Sequence, residues 1–415
     1  MREQKRIYIG LGSNVGNRFL QLQSAIDAIN YEIGSIASIS NCYKTPAMGF
    51  EGSDFLNACI ELRTYLSPEL VLSKLLQIEE KFGRKRSNDG QYHARTLDLD
   101  ILFYESQVIE NELLCLPHPR AEQRLFVLKP LAEIGADFIH PIFKKTIAQL
   151  LEICPDTSAI SKHKKTLENP LRNFDFSAYN FIAIEGNIGA GKTSLTTMMS
   201  SDFNAKPIYE RFADNSFLPK FYQDPERFAF PLEMAFLADR FQQISEDLAQ
   251  LDLFKDFIIS DYEVYKSLIF SKITLSEQEF LLYRKLFYLV YKDIKRPDLY
   301  VYLHQDIESL QVNIKKRGRA YERDLSSEYL NNIHLGYLEF IKNKPPSKVK
   351  IIDVSKRDFI ENRHDYLWLL AQIQDWFILE YKSHKTTPAL TEIFRECLVP
   401  NCGISMTPSH WLITA

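Results

Sequence analysis

Residues 181–193 read FIAIEGNIGAGKT. The apolar run Phe181–Glu185 predicts a short buried strand, and the last eight residues fit the pattern G-x-x-x-x-G-K-[ST] with a helix starting at Lys192. Strand, glycine loop and helix start in that order make a cradle for phosphate. Glycines let backbone N–H groups turn inward around phosphate oxygens, and the helix N-terminus adds partial positive charge. Gly186, Asn187, Gly189 and Gly191 supply the loop, Lys192 is placed to neutralise the β- and γ-phosphates of ATP, and the Thr193 hydroxyl to hold Mg²⁺. Downstream, apolar strands at Phe257–Ser260 and Leu299–Leu303 are separated by helical patterns at 226–250 and 276–293. Strands alternating with helices predict an α/β fold with a parallel sheet for this half.

Outward from this half, two stretches break the regular alternation. Residues 161–178 (SKHKKTLENPLRNFDFSA) are rich in Lys, Asn and Ser and read as a linker. Residues 383–415 show neither helical nor strand periodicity and read as a tail with room for disorder. Two domains are expected, 1–160 and 179–382. The whole chain has 415 residues, 45% hydrophobic and 25% charged, with a net charge of −4. That balance excludes collagen-like, coiled-coil and disordered classes, and predicts neither general nucleic-acid binding nor a polybasic membrane anchor. No apolar run is long enough to span a membrane, and the first residues are not those of a signal peptide. Six scattered cysteines (42, 59, 115, 154, 397, 402) fit a reducing cytoplasm rather than a disulfide framework. Cys397-x₄-Cys402 with His410 is weighed as coincidence, not as a metal site.

The first half is expected to be α+β: a strand at Ile7–Leu11, a glycine-rich turn, helical patterns at 17–30 and 67–82, and a strand at Leu97–Phe103. The glycines at 10, 12 and 16 miss the dinucleotide spacing by one residue. The informative stretch is 95–102, RTLDLDIL. Strand periodicity puts Asp98 and Asp100 on one face, with Leu97, Leu99 and Ile101 buried behind. Two such carboxylates repel by up to about 4 kcal/mol at ~4 Å and an effective dielectric near 20. A divalent cation removes that cost, and oxygen ligands favour Mg²⁺ shared with phosphates. The basic residues Arg84, Lys85, Arg86 and Arg95 are placed like a lid over polyphosphate. Exposed acids beside a solvated basic loop is the plainer alternative.

Two resemblances sharpen these readings. The second half resembles the deoxynucleoside kinases through EGNIGAGKTSL (185–195), YERFADNSFLPKFYQDPERFAFPLEMAFLADR (209–240), SDYEVYKSLIF (260–270) and KKRGRAYERD (315–324). The resemblance implies that Glu210 activates a sugar 5′-hydroxyl, Arg317 and Arg319 clamp the transferring phosphoryl group, Asp261 serves Mg²⁺, and Glu322 accepts from the 3′-hydroxyl. It also implies a homodimer through the kinase domain. Two departures stand out. Tyr262 replaces an arginine that pairs with the catalytic acid, so either Lys266 substitutes or the site is weakened. Glu233 replaces a base-reading glutamine. A carboxylate only accepts, which suits the two donors of guanine and leans towards deoxyguanosine; alternatively Glu233 is a structural acid paired to Arg240. Aromatics crowd 212–241, and one or two of them are expected to touch the base. A nucleoside monophosphate kinase and a non-catalytic nucleotide-binding module remain as rivals for this half.

The first half resembles the 6-hydroxymethyl-7,8-dihydropterin pyrophosphokinases of folate synthesis, with GLGSNVGNR (10–18), YKTPAMGF (43–50), SDFLNACIEL (53–62), IEEKFGRKR (78–86), RTLDLDILFY (95–104) and PHPRAEQRLFVLKPL (117–131) in family order. The resemblance implies a ferredoxin-like fold and two Mg²⁺ ions on Asp98 and Asp100. It places Arg84, Arg95, His118 and Arg124 on ATP phosphates. The pterin would lie between Phe55 and Phe126, its amide-like edge meeting Asn57 and the Thr45-Pro46-Ala47-Met48 segment. Tyr92 or His93 is the candidate to stand in for a tryptophan common in the family. The hydroxymethyl oxygen would attack the β-phosphorus and release AMP, with no evident general base.

Overall fold

Alternate residues of the opening strand, Ile7, Ile9 and Leu11, are almost wholly buried on one face, while Tyr8 is buried on the other. A strand buried on both sides belongs at the centre of a two-faced sheet, and the computed structural model places it there. The structure describes residues 4–47, 52–84, 94–211, 215–249, 254–322, 325–345 and 348–374. Met48, Lys85, Arg86, Tyr92, His93, Phe212 and the whole 383–415 tail lie outside them.

The first half runs β1 (Lys5–Ser13), α1 (Arg18–Glu32), β2 (Ser35–Ile39), β3 (Tyr43–Thr45), β4 (Phe55–Thr64), α2 (Pro68–Lys81), β5 (Asp98–Tyr104), a short hairpin β6 (Ile109–Glu110) and β7 (Cys115–Leu116), α3 (Leu125–Gly135), α4 (Ile147–Glu152) and β8 (Ser161–Lys162). Its antiparallel sheet has the order β5-β1-β4-β3-β8, with β2 also on β4. One face packs Ile7, Ile9, Leu99 and Ile101 against Leu22 and Ile26 of α1 and Leu75 and Ile78 of α2. The other packs Tyr8, Leu102 and Phe103 against Leu128 and Leu131 of α3 and Ile147 of α4. The expected glycine-rich turn after Leu11 is corrected: β1 continues to Ser13, with Gly10 and Gly12 inside it. Both face neighbouring strands at close quarters, Gly10 opposite Asp100 and Gly12 opposite Asp98.

The second half runs β9 (Phe181–Gly186), α5 (Lys192–Asp202), β10 (Lys206–Ile208), α6 (Leu218–Gln223), α7 (Pro225–Ala249), β11 (Ile258–Ser260), α8 (Lys266–Thr274), α9 (Glu277–Val290), β12 (Leu299–His304), α10 (Ile307–Arg317), α11 (Ser327–Lys342), β13 (Val349–Asp353) and α12 (Arg363–Ile373). Its sheet is parallel, as expected, in the order β10-β11-β9-β12-β13. The phosphate loop leaves the carboxyl end of the central strand, where open α/β sheets bind their ligands. Gly191, the residue before α5, has φ +84, and a Cβ there would lie 2.6 Å from Phe359. Glycine is required at this point by both backbone and space.

Residues 161–178 are tied down at both ends. β8 extends the first sheet on β3, Asn169 Nδ2 donates to the Ile36 carbonyl at 2.8 Å, and the Asp175 amide donates to Gln374 Oε1 at 3.0 Å. Nearby, Arg363 of α12 donates to Asn30 Oδ1 of α1 at 3.1 Å, Asp202 accepts from Ser35 Oγ at 2.6 Å, and Tyr31 stacks on His364.

Candidate functional sites

A cavity of about 510 Å³ opens between the first sheet and α3. It exists because Gly10, Gly12 and Ala58 carry too little side chain to fill the face that Tyr8, Leu102 and Phe103 fill further along. Its lining includes Asp98, Asp100, Arg95, His118, Arg124, Thr45, Pro46, Phe55, Asn57 and Phe126 besides Gly10 and Gly12, so residues from five separate sequence segments meet here. Asp98 and Asp100 share the cavity side of β5, and Leu97, Leu99 and Ile101 are buried behind as the periodicity requires.

Cations hold the acids in place. Arg95 Nη1 donates to Asp98 Oδ2 at 2.6 Å, and Arg84 Nη1 pairs with Asp98 Oδ1 at 2.7 Å. Arg84 is itself braced by the buried Glu79, which also accepts from the Leu99 amide at 2.8 Å. Burial, and then Asp98 beside it, push Asp100 up to about 6 despite Arg84, Arg124 and Arg95. The segment before β5 is clipped to the end of β1: Ser13 Oγ donates to the Thr96 carbonyl at 2.6 Å, and the Arg95 amide to Asn14 Oδ1 at 2.6 Å.

At the opposite wall Asn57 Nδ2 donates to Thr45 Oγ1 at 2.8 Å. A Cβ at residue 12 would stand 3.1 Å from Asn57 Oδ1, so Gly12 keeps the space between the acids and the amide clear. Arg124 lies over the Phe126 ring at 5.5 Å. The Arg120 amide donates to His118 Nδ1 at 3.3 Å, an arrangement that leaves Nε2 to carry the proton. Burial, then Arg124 and Arg120, lower His118 and keep it neutral. Sequence reasoning missed Arg120 and Gln123, which also line the cavity; both lie inside the quoted 117–131 segment, which is the signal that would have found them.

The second cavity, about 120 Å³, lies beside the start of α5. Lys192, Thr193, Glu210, Glu233, Arg240, Asp261, Arg317, Arg319 and Glu322 all line it, together with Lys266. The remaining loop residues shape its floor. Lys192 Nζ donates to the carbonyls of Gly186 (3.0 Å) and Asn187 (2.9 Å), Asn187 Nδ2 donates to the Leu330 carbonyl (2.7 Å), and the Gly189 carbonyl accepts from Asn313 (3.1 Å). Burial, then Lys266, bring Lys192 down to about 8. Asp261 bridges the loop and the Glu210 segment: Thr193 Oγ1 donates to Oδ2 at 2.5 Å, and the Glu210 amide to Oδ1 at 2.8 Å.

Glu210 is gripped by two cations. Arg240 Nη2 donates to its Oε1 at 2.6 Å and Lys266 Nζ to its Oε2 at 2.7 Å. Burial pushes this carboxyl up, but Lys266 and Arg240 outweigh it and hold Glu210 well below the usual carboxylate range. Lys266 thus supplies Glu210 with a second cation, while Tyr262 is buried and its hydroxyl has no hydrogen-bond partner among the described residues. The alternative pairing of Glu233 with Arg240 is corrected: the guanidinium is committed to Glu210 and, through Nη1, to Ser267 Oγ at 2.6 Å. Arg317 and Arg319 both pair with Glu322 at the cavity mouth. Of the crowded aromatics, Phe221, Tyr222 and Phe236 reach the cavity; Phe270 of α8, at the end of the quoted 260–270 segment, and Tyr329 of α11, which carries no local signal, join them.

Comparison with known proteins agrees with both geometries. Residues 182–378 match the family model described as deoxynucleoside kinase, and residues 8–136 that of 7,8-dihydro-6-hydroxymethylpterin-pyrophosphokinase. The chain is 36% identical over 203 residues to a deoxyguanosine kinase of Bacillus subtilis, covering 48% of this chain and 98% of the relative. It is 43% identical over 145 residues to a 2-amino-4-hydroxy-6-hydroxymethyldihydropteridine pyrophosphokinase of Synechocystis sp., covering 35% of this chain and 73% of the relative. A deoxyadenosine kinase of Dictyostelium discoideum is 32% identical over 185 residues, covering 43% of this chain and 74% of the relative. Two phosphate-handling cavities on unrelated sheets thus have separate kinships: the chain belongs to the hydroxymethyldihydropterin pyrophosphokinase family through its first half and to the deoxynucleoside kinase family through its second, and is a bifunctional kinase.

Proposed function

We propose that residues 1–160 transfer pyrophosphate from ATP to 6-hydroxymethyl-7,8-dihydropterin and that residues 179–382 phosphorylate the 5′-hydroxyl of deoxyguanosine, with 161–178 as the strap between them. In the first cavity the pterin ring stacks between Phe55 and Phe126, and its amide edge meets Asn57 and Thr45. Arg84, Arg95, Arg124 and His118 hold the triphosphate so that the hydroxymethyl oxygen lies in line with the β-phosphorus. The neutral His118 donates a proton-bearing Nε2 to a phosphate oxygen without adding charge repulsion against the arginines.

The donor sets fit Mg²⁺. Asp98 and Asp100 offer oxygen ligands, burial first and then the neighbouring Asp98 raise Asp100, a cost that a cation would offset, and Thr193 with Asp261 offers a hydroxyl and a carboxylate 2.5 Å apart. When bound at these residues, Mg²⁺ would neutralise phosphate charge and fix its orientation. In the second cavity Glu210 accepts the hydrogen of the 5′-hydroxyl and aligns it. Its depressed pKa makes it a weak base, which suffices for a loose transition state in which the proton leaves late. Arg317 and Arg319 exchange Glu322 for the transferring phosphoryl group, and Glu322 accepts from the 3′-hydroxyl.

The observation that carries the nucleoside choice is Glu233, a buried acceptor facing a cavity walled by aromatic rings. The name of the Bacillus subtilis relative supports the same choice. A nucleoside panel on the full chain tests it. Deoxyguanosine is expected to exceed thymidine and deoxycytidine in kcat/KM by about tenfold or more, since a site built for two donors leaves buried groups unpaired with the others. Thymidine or deoxycytidine as best substrate overturns the reading.

A homodimer through the kinase domain is supported by the apolar residues that α9 leaves exposed, Leu281, Leu282, Tyr288 and Leu289. Sedimentation should give about twice the 48.3 kDa chain mass, and Leu289→Glu should shift it to the single chain. A cytoplasmic setting is supported by Cys42, Cys59, Cys115 and Cys154, all free thiols. Among the described residues no helix is long and apolar enough to cross a membrane.

A further inference from the structure

Glu233 lies on α7 with 2% of its surface exposed and lines the second cavity. Its Oε1 is 3.1 Å from the Thr274 hydroxyl, and its Oε2 is buried without a hydrogen-bond partner among the described residues. Leaving a buried polar atom unpaired costs roughly 1–3 kcal/mol, so an oxygen held this way beside a cavity is a place for a ligand's hydrogen bond.

The Thr274 hydroxyl is also 3.0 Å from the Phe270 carbonyl. It has a single proton. Donated to Oε1, that proton supports a carboxylate; donated to the Phe270 carbonyl, it leaves a lone pair facing Oε1 that can accept from a neutral acid. The same backbone therefore accommodates Glu233 in both protonation states.

The surroundings leave that choice open. Arg240 on α7 and Lys266 on α8 face Glu233, but both are committed to Glu210. Glu210 itself, after β10, stays ionised. Tyr222 of α6 and Tyr329 of α11 line the cavity and Tyr283 of α9 lies within electrostatic reach of Glu233; burial first, then neighbouring groups, drive all three phenols above their ordinary range, so they stay neutral. For Glu233, burial outweighs the opposing Arg240 and Thr274 and lifts the carboxyl to about 7.

We propose that the protonation state of Glu233 selects the purine. As a carboxylate it accepts from N1–H and the 2-amino group of guanine; as a neutral acid it donates to N1 and accepts from the 6-amino group of adenine. The inference rests on the purine reading of this site and adds to it a second substrate and the condition under which it is taken. No bond other than the Glu233 O–H changes. The proton goes to solvent when deoxyguanosine binds and is drawn from solvent when deoxyadenosine binds.

The test is the ratio of kcat/KM for deoxyguanosine over deoxyadenosine, measured on the full chain between about pH 5.5 and 8.5, where neither base changes its own protonation. Taking the ratio cancels the pH response of ATP, Glu210 and the lid. The ratio is expected to rise by up to about tenfold per pH unit, the slope of a single proton. In Glu233→Gln, whose amide offers one donor and one acceptor at every pH, the ratio should lie flat. Calorimetry near neutral pH, in buffers of different ionisation enthalpy, should show proton release with the first nucleoside and uptake with the second. A flat wild-type ratio with both purines phosphorylated overturns the inference, whether or not the variant folds. Phosphorylation of neither purine overturns the purine reading itself and is seen separately.

Discussion

Asp98→Asn is expected to lower kcat/KM for pyrophosphoryl transfer by about a thousandfold or more, the scale on which removal of a preorganised charge from a phosphate site is felt. Asp98 is the hub of the first cavity: Arg95 and Arg84 both converge on it, and it stands beside Asp100 on the same strand face. Without its charge, two arginines lose their common partner and the cation-binding pair is halved. Deoxynucleoside phosphorylation by the same molecules serves as the internal control and should be unchanged. Asp100→Asn should cost similar activity yet raise the melting temperature in chelator. The sign follows from its folded-state value of about 6 against an ordinary 3.8. The folded chain binds this proton more tightly than the unfolded chain, so the ionised carboxyl subtracts stability as pH rises from about 4 through 6, and fully above that. The gain from Asn should therefore appear at pH 7 and vanish near pH 4. An Asp100→Asn protein that melts lower at pH 7, or retains transfer, contradicts this account of the pair.

Glu210→Gln should reduce kcat for deoxynucleoside phosphorylation by about 10²–10⁴-fold, the range for a positioned proton acceptor. ATP binding, judged by nucleotide displacement, should persist, because the loop at 186–193 does not depend on this side chain. Turnover lost with ATP binding retained would argue against the non-catalytic nucleotide-binding reading of this half, whereas full turnover would remove Glu210 as the acceptor of the 5′-hydroxyl proton. The substitution also leaves Arg240 and Lys266 buried without their counter-charge, and breaking a buried pair of this kind costs about 3–5 kcal/mol. Melting curves of the full chain separate the two effects: Glu210→Asp, which keeps the charge and shortens the reach, should recover stability more than turnover.

What could be read without coordinates was what is local. The strand-loop-helix run at 181–193 needs only consecutive residues, so its cradle and the parallel sheet around it were legible. So was the shared face of Asp98 and Asp100, since strand alternation is a two-residue rule. The glycines at 10 and 12 were not. Gly12, read as part of a turn, lies in the strand that already held Gly10, and their purpose appears only when β4 and β5 flank them and Asn57 comes within 3.1 Å of where a side chain at residue 12 would begin.

The charge pairing of the second cavity was likewise out of reach. Glu210, Arg240 and Lys266 are 30 and 56 positions apart in the bonds they form, and no pattern of spacing says which of Glu210 or Glu233 the guanidinium of Arg240 will choose. Sequence by itself determined the two families, the phosphate loop and the acidic strand face, because each is written in residues close along the chain. Only the tertiary structure decided that Arg240 goes to Glu210 and that an oxygen of Glu233 is left unpaired, because partners of buried charges are settled by which helices pack together.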